Sequence, residues 1–182
     1  ASSSPQAFTS GIFAYTGLTY NIDGVGVAVA GVAVGNTATA LVVPSTAADS
    51  FSDTYSVISV ENSAFANNGL TAVMIPGSVT SIGAKAFASN VITRAIIPHN
   101  VTSIGNESFY NNAIVSLTIP ANVTIIEANA FSDNALTNVA FRGDYRSFDN
   151  NIFLNNPNLS TITHCAGAAD WGDVVFNVGP DS

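Results

Sequence analysis

Charge is scarce in this chain of 182 residues: only 9% of its residues are charged, against roughly 25% in an ordinary globular protein. Basic residues are scarcer still. The four of them (Lys85, Arg94, Arg142 and Arg146) stand far apart, so no groove that tracks a phosphate backbone can be assembled, and nucleic acid is excluded as a partner. Twelve acidic residues leave a formal net charge of −8. A hydrophobic share of 47% excludes a disordered chain kept in solution by charge. The single cysteine, Cys165, can form neither an intrachain disulfide nor a cysteine-rich metal site. Long apolar runs are missing too. The longest, Gly24 to Gly35, falls well short of the roughly 20 residues a membrane-spanning helix needs, so no membrane span is expected. There is no initiator methionine and no secretory leader. The small polar start Ala1–Pro5 suits either a processed secreted protein or a piece excised from a longer one.

What the sequence does have is a repeat. Phe65, Phe87, Phe109, Phe131 and Phe153 recur at a period of 22 residues, and Asn68, Asn90, Asn112, Asn134 and Asn156 keep the same step. Pro76, Pro98 and Pro120 follow it as well, with Pro44 an earlier copy out of step. A unit this short cannot bury its own apolar face, whereas stacked copies bury one continuous core. The alternation at Val73 and Ile75 predicts one short parallel strand per copy, closed by a proline that has no N–H to give the ladder. Strand centres fall at Leu41, Val73, Ala95, Leu117, Val139 and Ile162. The Phe column is expected to stack as core on the far side of the coil, where Ala86–Asn90 reads as a short helical turn. The Asn column is expected to form a structural ladder, donating to and accepting from the backbone of neighbouring turns.

The frame Leu70, Val73, Ile75, Pro76, Val79, Ile82, Gly83, Ala86, Phe87, Asn90, repeated through Ile92–Asn112 and Ile114–Asn134, resembles the BspA-type leucine-rich repeat of bacterial surface proteins. The likeness covers roughly residues 38–165, and the stretch Thr19–Pro44 is similar to the β-rich opening that often precedes such repeats. Glu127 in place of a glycine and Arg142 in place of a proline depart from the frame. The resemblance implies secretion or surface display, a right-handed repeat coil, and a part in adhesion or in binding host and matrix proteins. It carries no shared active site and no cofactor. The expected fold is therefore an α/β solenoid: a short leucine-rich repeat coil of 22-residue units with a parallel β-sheet on one face. Its parts are an N-terminal arm (1–17), a β-rich cap with the first turn (18–56), the repeats (57–165) and a C-terminal cap or tail (166–182). Within the second part, residues 45–56 read as a polar insertion. Trp171 and Phe176 are expected to cover the C-terminal end.

Candidate chemistry is thin. His99 sits in a turn and His164 on an inward column of the last strand, and neither has a nucleophile, acid or second histidine at a useful spacing. Asp144, Asp149, Asp170 and Asp173 read as solvated loop acids, because no calcium loop is present. Sequons at Asn100, Asn106, Asn122 and Asn158 read as products of the repeat. Cys165 reads as a buried thiol. The outward positions of the strands are more telling. Alternation lines up Val42, Met74, Ile96 and Thr118, flanked by Ala72, Arg94 and Ser116, as an apolar ridge on a face that should be wet. Thr80, Thr102 and Thr124, with Ser81 and Ser103, form a second outward row. Three functions follow: a non-catalytic module that binds protein or glycan, a structural subunit that assembles with copies of itself, and, as a minor alternative, a Thr/Ser face that matches an ice-like lattice.

Overall fold

The computed structural model describes residues 6–7, 18–23, 26–32, 39–48, 53–144, 148–149, 151–164, 176 and 179. In chain order the strands are β1 (Gln6–Ala7), β2 (Leu18–Asp23), β3 (Gly26–Val32), β4 (Ala40–Val42), β5 (Thr46–Ala48), β6 (Thr54–Val60) and β7 (Ala72–Met74). They continue with β8 (Ser81–Ile82), β9 (Ser103–Ile104), β10 (Ser116–Ile119), β11 (Ile125–Ile126), β12 (Asn138–Phe141) and β13 (Thr161–His164).

The strand column forms in the predicted register. Leu41 pairs with Val73, Leu117 with Val139 and Val139 with Ile162, all parallel. The third copy is the exception, with a single isolated bridge, Ala72–Arg94, in place of a strand. The ladder therefore divides into β4–β7 and β10–β12–β13. Proline does not set strand length as expected: β10 and β12 are both four residues long, although Pro120 follows one and Arg142 the other. Strand β10 stops before Pro120, whereas Arg142 in the equivalent place donates its N–H to the Ile119 carbonyl at 2.9 Å.

A second parallel sheet was not foreseen. The segment after each proline turn adds a two-residue strand, so that Val60, Ile82, Ile104 and Ile126 stack inward in register across β6, β8, β9 and β11. Strands β3, β2 and β1 continue this sheet, β3 parallel to β6 and the other two antiparallel. The β2–β3 register slips between Thr19 and Tyr20, opposite the stretch ending at Gly31. The polar insertion is structured as well, because β5 folds back antiparallel on the start of β6.

The helical turn expected at the Phe column is absent, and no described residue is helical. Residues Lys85 and Ser89 have φ of 57° and 55°, and Ser63/Asn67, Glu107/Asn111 and Asn129/Asp133 repeat the pair. A left-handed residue at every fourth position prevents a helix from propagating. The backbone bonds instead to the next turn. The N–H groups of Lys85, Phe87 and Ser89 donate to the carbonyls of Asn106, Ser108 and Tyr110, each at 2.8 Å. All three sides of the coil are thus joined between turns, which satisfies main-chain groups that would otherwise be buried unpaired.

Close stacking also explains a glycine column. A Cβ on Gly83 would lie 2.7 Å from the Asn62 nitrogen, and one on Gly105 only 2.6 Å from that of Ala84. At the equivalent place Glu127 turns its carboxylate to use, accepting from the Asn106 N–H at 2.7 Å.

Candidate functional site

The five Phe rings form one stack, with centroids 5.4, 5.1, 5.3 and 6.2 Å apart, and all five are fully buried. Offset contact at such spacings is favourable beyond simple burial. At the C-terminal end Phe141 and Phe148 stack on each other, and Phe176 packs on Phe141 and edge-on to Phe153. Trp171, Asp170, Asp173 and Cys165, all singled out in the sequence, lie outside the described residues.

Beside the rings runs the Asn ladder. Asn90 Oδ1 accepts from the Leu70 N–H at 3.0 Å, while its Nδ2 donates to the carbonyls of Phe65 and Phe87 at 2.9 Å. Asn112, Asn134 and Asn156 repeat the pattern one turn on each time. Asn68 begins the column differently, donating within its own turn to the Ala66 carbonyl at 2.8 Å. The sequon amides are equally committed: Asn100, Asn106 and Asn122 donate to the backbone carbonyls of Gly77, Ala128 and His99.

The Thr row is tied down as well. Hydroxyls of Thr80, Thr102 and Thr124 each donate at 3.2 Å to a carbonyl 22 residues earlier. Their donors serve the coil and are withdrawn from any lattice or sugar. Ser81 and Ser103 pair beside them, but the next place is Ile125, which interrupts the hydroxyl row.

His164 corrects one expectation. It stands in register with the buried Phe141, on the inward column as expected, yet is exposed, the last strand having the pattern exposed, half-buried, exposed, exposed. Ile162 only packs partly against the core. Among the described residues no three His, Cys, Asp or Glu come close enough to hold a metal ion.

The strand face has a distinct character. Met74 is 63% exposed, Ile96 59% and Val42 37%, whereas Leu41, Val73 and Ala95 beside them are buried. Thr118 is exposed in the same column. Two further exposed apolar residues, Val91 and Val115, precede the strands. The alternation rule used to find the ridge does not reach them. A backbone bond from the Val115 N–H to the Thr93 carbonyl at 3.4 Å places Val115 beside the third copy. Where the ladder opens after the Ala72–Arg94 bridge, a shallow groove of about 320 Å³ runs between Ala95–Ile97 and Ser116–Thr118. Arg94 stands at its edge, exposed.

Stacked parallel strands with a buried Leu/Ile lattice and an Asn ladder define a leucine-rich repeat solenoid. The profile of the BspA-type leucine-rich repeat region matches residues 50–178 in six copies, and the chain belongs to that family. Among solved structures, a leucine-rich repeat protein from Bacteroides ovatus superposes with a TM-score of 0.66 at 22% identity, over 83% of this chain and 40% of the other. The pneumococcal vaccine antigen PcpA gives 0.57 at 15% identity, over 96% and 49% of the two chains. A leucine-rich cell surface protein from Faecalibacterium prausnitzii gives 0.50 at 22%, over 90% and 56%. At these identities the likeness concerns the fold, and the chain spans about half or less of the first and second of these structures. No curated protein sequence matches it. No helix of the described residues is long and apolar enough to cross a membrane.

Proposed function

We propose that this chain is a secreted or cell-surface module that binds protein through its strand face, without catalysis. The observation that carries this reading is the exposed column of Val42, Met74 and Ile96 on the strand face, beside the buried Leu41, Val73 and Ala95. Grouped apolar residues on a wet surface are the usual mark of an interaction site. A cell-surface protein among the structural neighbours agrees with this placement. The ridge contains no aromatic side chain on which a sugar ring could stack, and this favours protein over glycan. The test is the double variant Met74→Asp/Ile96→Asp, assayed for an unchanged melting midpoint and for attachment to protein-coated surfaces. Attachment equal to the parent's rejects the reading.

A second reading, self-assembly head to tail, draws on the ends of the coil. Strands β4 and β13 close the strand column among the described residues, and end strands are where further pairing occurs. Particle mass that rises with concentration in light scattering, and persists in the Asp double variant, supports assembly through the ends over binding through the face.

A further inference from the structure

We infer that the strand face recognises a carboxylate carried between aliphatic side chains on a protein segment, with Arg94 as the partner of the acid. This rests on the strand-face reading above and gives it a chemistry. Arg94 is exposed on the strand face, on the bridge to Ala72 and two residues before Ile96. Among the described residues its guanidinium makes no hydrogen bond or ion pair. Lys85, by contrast, is held by Glu107 at 3.3 Å. The groove beside Arg94 is bordered by Ile96 and Ile97 on one side and by Ser116, Thr118 and Asn138 on the other, and no carboxylate lines it.

The charge balance makes this position informative. On a chain of net charge −8, an acidic ligand is repelled by most of the surface. The Arg94 guanidinium, without an acid partner among the described residues, therefore fixes where such a ligand lands and in what register. Guanidinium binds carboxylate through two parallel N–H donors, and its weak hydration suits a site flanked by apolar contacts. Arginine and methionine are also among the side chains enriched at protein interfaces, and arginine among those that concentrate binding energy there. Met74 and Ile96 supply the apolar contacts on one side of Arg94.

Panning a phage library of random dodecapeptides on the parent, R94E, R94K and the Met74→Asp/Ile96→Asp variant tests this, each with its melting midpoint measured first. The parent and R94K are expected to select peptides with Asp or Glu within two positions of an aliphatic residue, and R94E to lose that acid. A selected peptide should bind R94Q at least tenfold more weakly than the parent, and its own Asp→Asn form should show the same loss. An aliphatic pool without acid, or acid enrichment that survives in R94E, overturns the role of Arg94 while leaving the strand face intact. Equal binding of polygalacturonate, which carries carboxylates without aliphatic neighbours, overturns the protein-segment reading. A pool unchanged on the Asp double variant, or no enrichment at all, overturns the strand face itself and this inference with it.

Discussion

Asn134→Ala is the sharpest probe of what joins the turns. Its Oδ1 accepts the Ile114 N–H at 3.0 Å, and its Nδ2 donates to the carbonyls of Phe109, Phe131 and Ser132 at 2.9, 3.1 and 3.1 Å. Ile114, Phe109, Phe131 and Ser132 are all buried, so truncation strands one N–H and several carbonyls away from water. A single unsatisfied buried group costs about 1–3 kcal/mol. With a donor and an acceptor each losing a turn-to-turn partner, the variant should lose about 2–4 kcal/mol of stability. Asn138→Ala, on an exposed position, should lose under about 0.5 kcal/mol. Asn134→Asp adds a sign test. It keeps the acceptor but turns carboxylate oxygens toward the Phe109 and Phe131 carbonyls, so burial and repulsion raise the folded pKa of the new acid. The stability of such a group is fully present below its unfolded pKa and is lost as pH rises through the folded one. The Asp variant should therefore be as weak as the Ala variant at neutral pH and recover towards the parent on acidification. Urea melts read at constant m-value measure all four proteins. Asn134→Ala matching Asn138→Ala, or an Asp variant with no pH dependence relative to the parent, would refute the ladder as an energetic element.

Two further outcomes follow from buried polar groups. Ser108 is fully buried in a column whose preceding and following copies hold Ala64, Ala86 and Ala130, and its hydroxyl has no hydrogen-bond partner among the described residues. Ser108→Ala should therefore raise stability by about 1 kcal/mol, and an unchanged or lower melting midpoint contradicts this. Burial pushes the Tyr20 phenol up to about 12 from an ordinary value of 10.0. The protonated form is thus favoured in the fold, and its stabilisation is complete below pH 10 and lost between there and pH 12. Tyr20→Phe should lack that alkaline decline when midpoints are followed across the same range, whereas parallel curves for variant and parent contradict the assignment.

The features legible in the sequence are those with a side-chain signature at every turn. The Phe stack, the Asn ladder and the Leu41–Val73 and Leu117–Val139–Ile162 registers all follow from columns in step. The second sheet was hidden because Ser81–Ile82, Ser103–Ile104 and Ile125–Ile126 are two-residue strands. Two residues are too few to show alternation. The left-handed pairs were hidden for a different reason. Ser63, Lys85, Glu107 and Asn129 share a backbone conformation but no chemistry, since the ladder to the next turn imposes it where propensity does not. His164 keeps the inward register beside Phe141 but is exposed, because alternation fixes the column of a side chain and not its burial. The ridge at Met74 and Ile96 was legible from alternation. Val91 and Val115 were not, because they precede the strand. That the Arg94 guanidinium has no acid partner among the described residues depends on which side chains the coil brings near it, and no spacing encodes that.

The most direct test of the strand face as the working surface is the affinity of one selected peptide for the parent and for Met74→Asp/Ile96→Asp, measured by titration calorimetry. Full burial of a Met or Ile side chain contributes about 1.5–3 kcal/mol, and both are more than half exposed in the unbound chain. The account predicts at least a tenfold loss of affinity with the melting midpoint unchanged. Equal affinities in two equally stable proteins would contradict it.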